Sequence, residues 1–153
     1  MLTNSEIMAK SKKAKVHFFS YDIRPGLKNT ETLKQFIESI FKGEQKKLES
    51  INYIFCTDKM ILGVNKKYLN HDFYTDVITF DLSQNSKQVL AEVYISIERV
   101  KENAVQLQTT FKEELHRVIF HGALHLCDFT DKSKPQKQIM RNRENYYLSK
   151  YFS

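Results

Sequence analysis

The chain has little of what marks several large classes of protein. It carries two cysteines, Cys56 and Cys127, which excludes a disulfide framework and fits a reducing cytoplasm. Four glycines and two prolines are too few for a flexible linker, and there is no internal repeat or low-complexity tract. One domain spanning residues 1–153 is expected, since single domains usually hold about 100–200 residues. No apolar run approaches the roughly 18 residues that a membrane span needs, so no membrane partner is expected. Residues 1–15, MLTNSEIMAKSKKAK, lack the apolar central stretch of a signal peptide, which makes a cytoplasmic protein the expectation.

What is present is an ordinary apolar content with an excess of basic charge, net +6, which suits a polyanionic partner. Strands come early. Residues 14–20 (AKVHFFS), 51–57 (INYIFCT), 76–82 (DVITFDL) and 89–96 (VLAEVYIS) are rich in β-branched and aromatic residues. The polar link at 83–87 predicts that the last two form an antiparallel hairpin. Between the first two, Asn29 or Thr30 caps a helix whose stripe is Leu33, Phe36, Ile37, Ile40 and Phe41, with Gly43 just past its end. Asp58 caps a short helix to about Tyr68. Helices come late. Ser96 caps one with Ile97, Val100, Ala104 and Leu107 inward. Thr110 and Glu113 form a capping box for the next. Ser133 and Gln136 form another, with Pro135 in the first turn and Ile139, Met140, Tyr146 and Tyr147 on one side. The fold class is α+β: a small mixed sheet of about four strands covered by about five helices.

The candidate site lies in HGALHLCDFTD, residues 121–131. From Val118 to Cys127 the helix is apolar all round except for His121 and His125, so the segment is buried. At i and i+4 both imidazoles lie on one face and can reach one ion. The bland alternative is a core helix that happens to contain histidine. The chain turns near Asp128, which can swing Asp131 over the histidine face. Two imidazoles and one carboxylate leave a tetrahedral zinc with an open position, the arrangement of a catalytic site. Cys127 points away from the histidines and reads as a small core residue. His17 reads as structural and His116 as half-exposed on another helix face. No glutamate lies between the histidines, which disfavours peptide hydrolysis of the H-E-x-x-H kind.

Three segments in order resemble the YbeY family of endoribonucleases and rRNA maturation factors. HGALHLCDFTD is similar to that family's H-G-x-L-H-L-x-G-Y-D-H, with Asp131 where its third histidine stands. VNKKYLNHDFYTDVITF, residues 64–80, resembles its L-N-x-x-Y-R-x-K-D-x-x-T-D-V-L-S-F, and AEVYISIERVKENA, residues 91–104, its G-D-I-x-I-S segment and following helix. Three departures stand out. Leu69 occupies the place of an arginine, His71 that of a lysine, and Asp128–Phe129 that of a Gly-Tyr pair whose glycine would accept a left-handed helix cap.

The resemblance implies metal-dependent cleavage of single-stranded RNA in maturation of small-subunit rRNA, with rRNA and the small ribosomal subunit as partners and a monomeric chain. The implied metal ligands are His121, His125 and Asp131, holding one Zn2+ or another divalent ion per chain. Catalysis would fall to His121 and, with Leu69 uncharged, to His71. Lys66, Lys67, Lys132, Lys134 and Arg141 are the RNA-contact candidates, within a basic stretch that also holds Lys137 and Arg143. The bland reading of all these is a solvated helix face. Asn65, Thr75 and Asp76 match family positions, though Thr75 and Asp76 could equally open a strand. Phe73 and Tyr74 are either base-stacking residues or core beneath a loop. The rival function is a non-catalytic RNA-binding ribosome-assembly factor that keeps a metal for structure. A weaker third is a metallohydrolase of small phosphoesters.

Overall fold

The computed structural model describes residue 3 and residues 14–153. Most of the stretch read for a leader, residues 1–15, therefore lies outside the described residues. No described helix is long and apolar enough to cross a membrane. The described elements run β1 (Val16–Ser20), α1 (Thr30–Gly43), β2 (Leu48–Cys56), α2 (Asp58–Leu69), β3 (Val77–Asp81), β4 (Val89–Ser96), α3 (Ile97–Gln106), α4 (Phe111–His125) and α5 (Lys134–Tyr151). The sheet order is β1-β2-β4-β3. β1, β2 and β4 are parallel and β3 pairs antiparallel with β4, as the short polar link predicts.

Successive strand residues point to opposite faces, and both faces are covered. Ile51, Tyr53 and Phe55 of β2 sit opposite Ala91, Val93 and Ile95 of β4. Together they floor the main core, which takes Leu33, Ile37, Ile40 and Phe41 from α1 and Ile119, Phe120, Ala123 and Leu124 from α4. On the other face Cys56 and Ile78 meet Ile61 of α2 in a smaller cluster. The Tyr53 hydroxyl, fully buried, donates to the Ile119 carbonyl at 2.9 Å. A Cβ on Gly122 would come within 2.9 Å of Val93 Cγ1, so α4 crosses β4 at a distance that only glycine permits.

Several local readings need correction. Asn29 does precede α1, but it is left-handed (φ 53) and its side chain makes no cap hydrogen bond. Gly43 is still helical. The left-handed residue is Gln45 (φ 60), and Gly43 instead leaves room for the Tyr147 hydroxyl, 3.2 Å from where its Cβ would be. Thr57, not Asp58, caps α2 with its side chain. Thr110 accepts from the Glu113 N–H, but the Glu113 carboxylate takes the Thr109 hydroxyl, so that box is half formed. The Ser133–Gln136 box is complete. Leu107 is exposed rather than inward, and the four α5 residues read on one side divide, Met140 and Tyr147 buried and Ile139 and Tyr146 exposed. His116 is buried, its Nδ1–H donating to the Lys112 carbonyl at 2.6 Å and its ring stacked on Tyr151. Burial lowers its pKa below 6.5.

Candidate metal centre

Helix α4 carries His121 and His125 one turn apart, their ring centroids 4.5 Å from each other. The helix ends in a tight turn. The Phe129 N–H reaches back to the Leu124 carbonyl at 3.1 Å, and Asp128 is left-handed (φ 72), the conformation its place in the sequence requires. Lys46 pairs with the Asp128 carboxylate at 2.6 Å. This reversal lays Asp131 across the histidine face, as the turn at Asp128 predicts.

Asp131 Oδ2 stands 3.4 Å from His121 Nε2 and 3.5 Å from His125 Nε2. One donor atom from each of the three residues lies within 4.8 Å of the others. Donors about 2.1 Å from one tetrahedral zinc sit about 3.4 Å apart, so the two Nε2–oxygen distances are already those of a ligand set. Both rings turn the same nitrogen to the carboxylate. His121, His125 and Asp131 thus form a group able to hold a metal ion.

Behind the ligands lies a second layer that sequence reasoning missed. Glu144 of α5 is 5% exposed. Its Oε2 accepts from His121 Nδ1 at 2.7 Å, and its Oε1 accepts from Arg117 Nη1 at 3.0 Å. Arg141 Nη1 lies 3.8 Å from the same Oε1. A carboxylate on the far nitrogen fixes the tautomer that leaves Nε2 free for a metal and raises its basicity. Glu144 falls in the buried phase of α5 with Met140 and Tyr147. A glutamate on a core stripe was the available hint. Glu114 and Arg117 share the helix face of the histidines, and Glu114 is buried with its carboxyl pKa raised by burial.

Burial pulls His121 down, but the Glu144 hydrogen bond and charge, with Asp131 and Asp76, outweigh it and its pKa ends above 6.5. Burial and the charge on His121 hold His125 below 6.5, against Asp131 and a hydrogen bond to the Phe129 backbone. A proton therefore competes with an ion more strongly at His121 than at His125. Burial lifts the Asp76 carboxyl, opposed by His121. Cys127 is buried, its thiol pushed up to about 12 by that burial, which suits a core residue and not a ligand.

Two cavities open on His121. One, about 300 Å³, is lined by Asp76, Glu114, Arg117, Asp131, Lys137, Arg141 and Glu144 among others. The other, about 390 Å³, is lined by Thr75, Asp76, His125 and Asp131 among others. Of the basic candidates, Arg141 and Lys137 thus share a cavity with the metal ligands. Lys132 and Lys134 are exposed beside the turn that carries Asp131. Lys66 and Lys67 are exposed at the end of α2, Lys66 paired with Asp72 at 3.2 Å. His71 lines neither of these cavities; its ring stacks on Phe73, centroids 5.0 Å apart. Arg143 leaves the basic stretch for Glu44 on the other side of α5, donating through Nε at 3.0 Å. Leu69 is 39% exposed, Asn65 is buried with its amide on the Phe73 carbonyl, and Phe73 and Tyr74 stand in solvent rather than in a core.

Comparison with known proteins places this arrangement among relatives. A family model described as "Endoribonuclease YbeY" matches residues 21–152. The chain is 40% identical over 138 residues to the endoribonuclease YbeY of Cytophaga hutchinsonii, covering 90% of this chain and 96% of that protein. It is 43% identical over 125 residues to the endoribonuclease YbeY of Bacteroides fragilis, covering 82% of this chain and 88% of that one. The solution structure of TM1509 from Thermotoga maritima superposes with a TM-score of 0.59 at 27% identity, covering 90% of this chain and 89% of that one.

Proposed function

The chain belongs to the endoribonuclease YbeY family, and from that premise we propose that it is a metal-dependent hydrolase cleaving phosphodiester bonds of single-stranded RNA, in maturation of small-subunit rRNA in the cytoplasm. The observation that carries the reading is the donor set. Three side chains present their ligating atoms at the edge lengths of a tetrahedron, with 3.4 and 3.5 Å between Asp131 and the two imidazoles, and they open on cavities at His121. A structural zinc takes four protein ligands, and three leave room for water.

Zinc is the proposed ion; when bound it would supply a water acidified toward a pKa of about 7 and a Lewis acid for a phosphoryl oxygen. The chain's own residues do the rest. Glu144 holds His121 by Nδ1 so that Nε2 faces the cavity, and Arg117 balances the charge on Glu144. Arg141 and Lys137, which line the same cavity as His121 and Asp131, neutralise the phosphate as negative charge develops on it. Lys66, Lys67, Lys132 and Lys134 hold the flanking backbone by charge alone, a contribution that weakens with salt. The rival, an RNA-binding assembly factor without cleavage, draws support from Leu69, an uncharged and exposed side chain where the family pattern has arginine.

A metal-dependent cleavage assay on rRNA precursor, with wild type and His125→Ala side by side, tests the proposal. Wild type cuts when metal is supplied and the variant does not. Tight RNA binding by wild type without any cleavage favours the assembly factor.

A further inference from the structure

The end of α2 and the loop between α2 and β3, residues 70–76, leave three large aromatics in water. Tyr68 is 61%, Phe73 55% and Tyr74 53% exposed. Their backbone is nevertheless pinned. Asn70 is left-handed (φ 57) and turns the chain. The buried Asn65 amide donates to the Phe73 carbonyl at 2.9 Å, and the His71 N–H donates to the Asn65 carbonyl at 3.1 Å. Each of the two loop rings is backed on one side. His71 lies on Phe73 at 21° to its plane, and the Arg99 guanidinium sits 5.0 Å from the Tyr74 centroid, itself held by Asp58 at 2.7 Å. A mobile loop would let such rings collapse against the surface. This one holds them outward with little conformational entropy left to lose on binding.

The loop is continuous with the metal centre. Thr75 and Asp76 line the cavity that holds His121, His125 and Asp131. Two residues span at most about 7 Å, so Phe73 is within one nucleotide's reach of that wall. Cations stand against two of the rings, Lys67 5.3 Å from the Tyr68 centroid and Arg99 5.0 Å from that of Tyr74, while Lys66 pairs with Asp72 at 3.2 Å. Exposed rings with cations beside them fit stacked bases and charged backbone. A duplex, whose base faces are covered, cannot use them.

Resting on the nuclease reading above, we infer that residues 70–74 form a base-stacking platform, on which Phe73 and Tyr74 take unpaired RNA bases next to the phosphate held at the metal centre and so select single-stranded, base-bearing substrate. Phe73, Tyr74 and the supporting His71 are specificity residues here; the cleavage chemistry stays with the metal ligands.

Phe73→Ala, Tyr74→Ala and Phe73→Trp, all at exposed positions, should fold and bind metal as wild type does. Their KM and kcat are measured on a short single-stranded oligoribonucleotide and on the same oligonucleotide with abasic positions flanking the cleaved bond. Each alanine variant should raise KM on the base-bearing substrate by roughly 5- to 150-fold, the worth of one stacked base, with the loss falling in KM rather than kcat. Phe73→Trp should retain wild-type KM. On the abasic substrate the alanine variants and wild type should share one raised KM. Alanine variants at parity with wild type on the base-bearing substrate, or losing equally on both, overturn the platform while the nuclease reading stands. A wild type that neither binds nor cuts either oligonucleotide overturns both.

Discussion

Replacing Glu144 by glutamine keeps the shape of the side chain but removes its charge and one of its two acceptor oxygens, and it should weaken metal binding by about 10- to 100-fold. The buried carboxylate serves two donors at once, His121 Nδ1 at 2.7 Å and Arg117 Nη1 at 3.0 Å. An amide has one acceptor oxygen. If that oxygen faces Arg117, the NH2 group faces His121 Nδ1, which must then accept, and the ring's proton moves to Nε2, the nitrogen the metal needs. If the oxygen faces His121, two donors oppose each other at Arg117. Either way one charge-assisted hydrogen bond is lost, about 1.5–3 kcal/mol, and removal of such an orienting partner typically costs 10–100-fold in metal affinity. The two magnitudes agree, since tenfold is about 1.4 kcal/mol. Competition of the purified variant against a chelator of known zinc affinity gives the ratio directly. Glu144→Ala is the harsher comparison, because it strands the Arg117 guanidinium, 11% exposed, and breaking such a pair costs about 3–5 kcal/mol of stability. A glutamine variant with wild-type zinc affinity and an intact fold would refute the orienting role.

Gly122→Ala should lower stability by about 1–3 kcal/mol despite better helix propensity, because its Cβ meets Val93 Cγ1 at 2.9 Å; thermal melts check this, and Val93→Ala should restore part of the loss. Tyr53→Phe should cost about 1 kcal/mol in denaturant titration by deleting the bond to the Ile119 carbonyl. For His116 the folded pKa lies below 6.5 through burial, so below about pH 6.5 the unfolded chain takes up a proton that the folded chain refuses. Its contribution to stability is full above that pH and shrinks as pH falls. The gap between wild type and His116→Phe, followed by melts at a series of pH values, should move against wild type on acidification, and a gap independent of pH would contradict the burial.

The apolar patterns carried most of the fold. β4 falls on the expected residues, and the other strands differ by a few at their ends. The hairpin followed from a link too short for anything but an antiparallel return. What misled were positions where a residue type has two uses. Gly43 reads as a helix terminator, but its lack of a Cβ serves Tyr147 one helix away, a long-range contact that no local pattern encodes. His116 reads as a surface residue by its helix face, yet the last turn of α5 folds Tyr151 and Phe152 over it. In the site, the two histidines and Asp131 were legible because spacing and one turn place them. Glu144 was not, since it reaches His121 only after α5 packs along α4. Phe73 and Tyr74 could not be assigned to core or surface until the loop's path from Asn70 to Asp76 was known.

The proposed function depends on His121, His125 and Asp131 holding an ion together. Elemental analysis of the protein after equilibration with zinc and desalting measures this most directly, with His121→Ala, His125→Ala and Asp131→Ala prepared in parallel. The expected result is one zinc per wild-type chain and a sharp loss in each variant, all still folded by circular dichroism. A folded wild type that leaves zinc-containing buffer without the ion, or variants that keep it, would contradict the account.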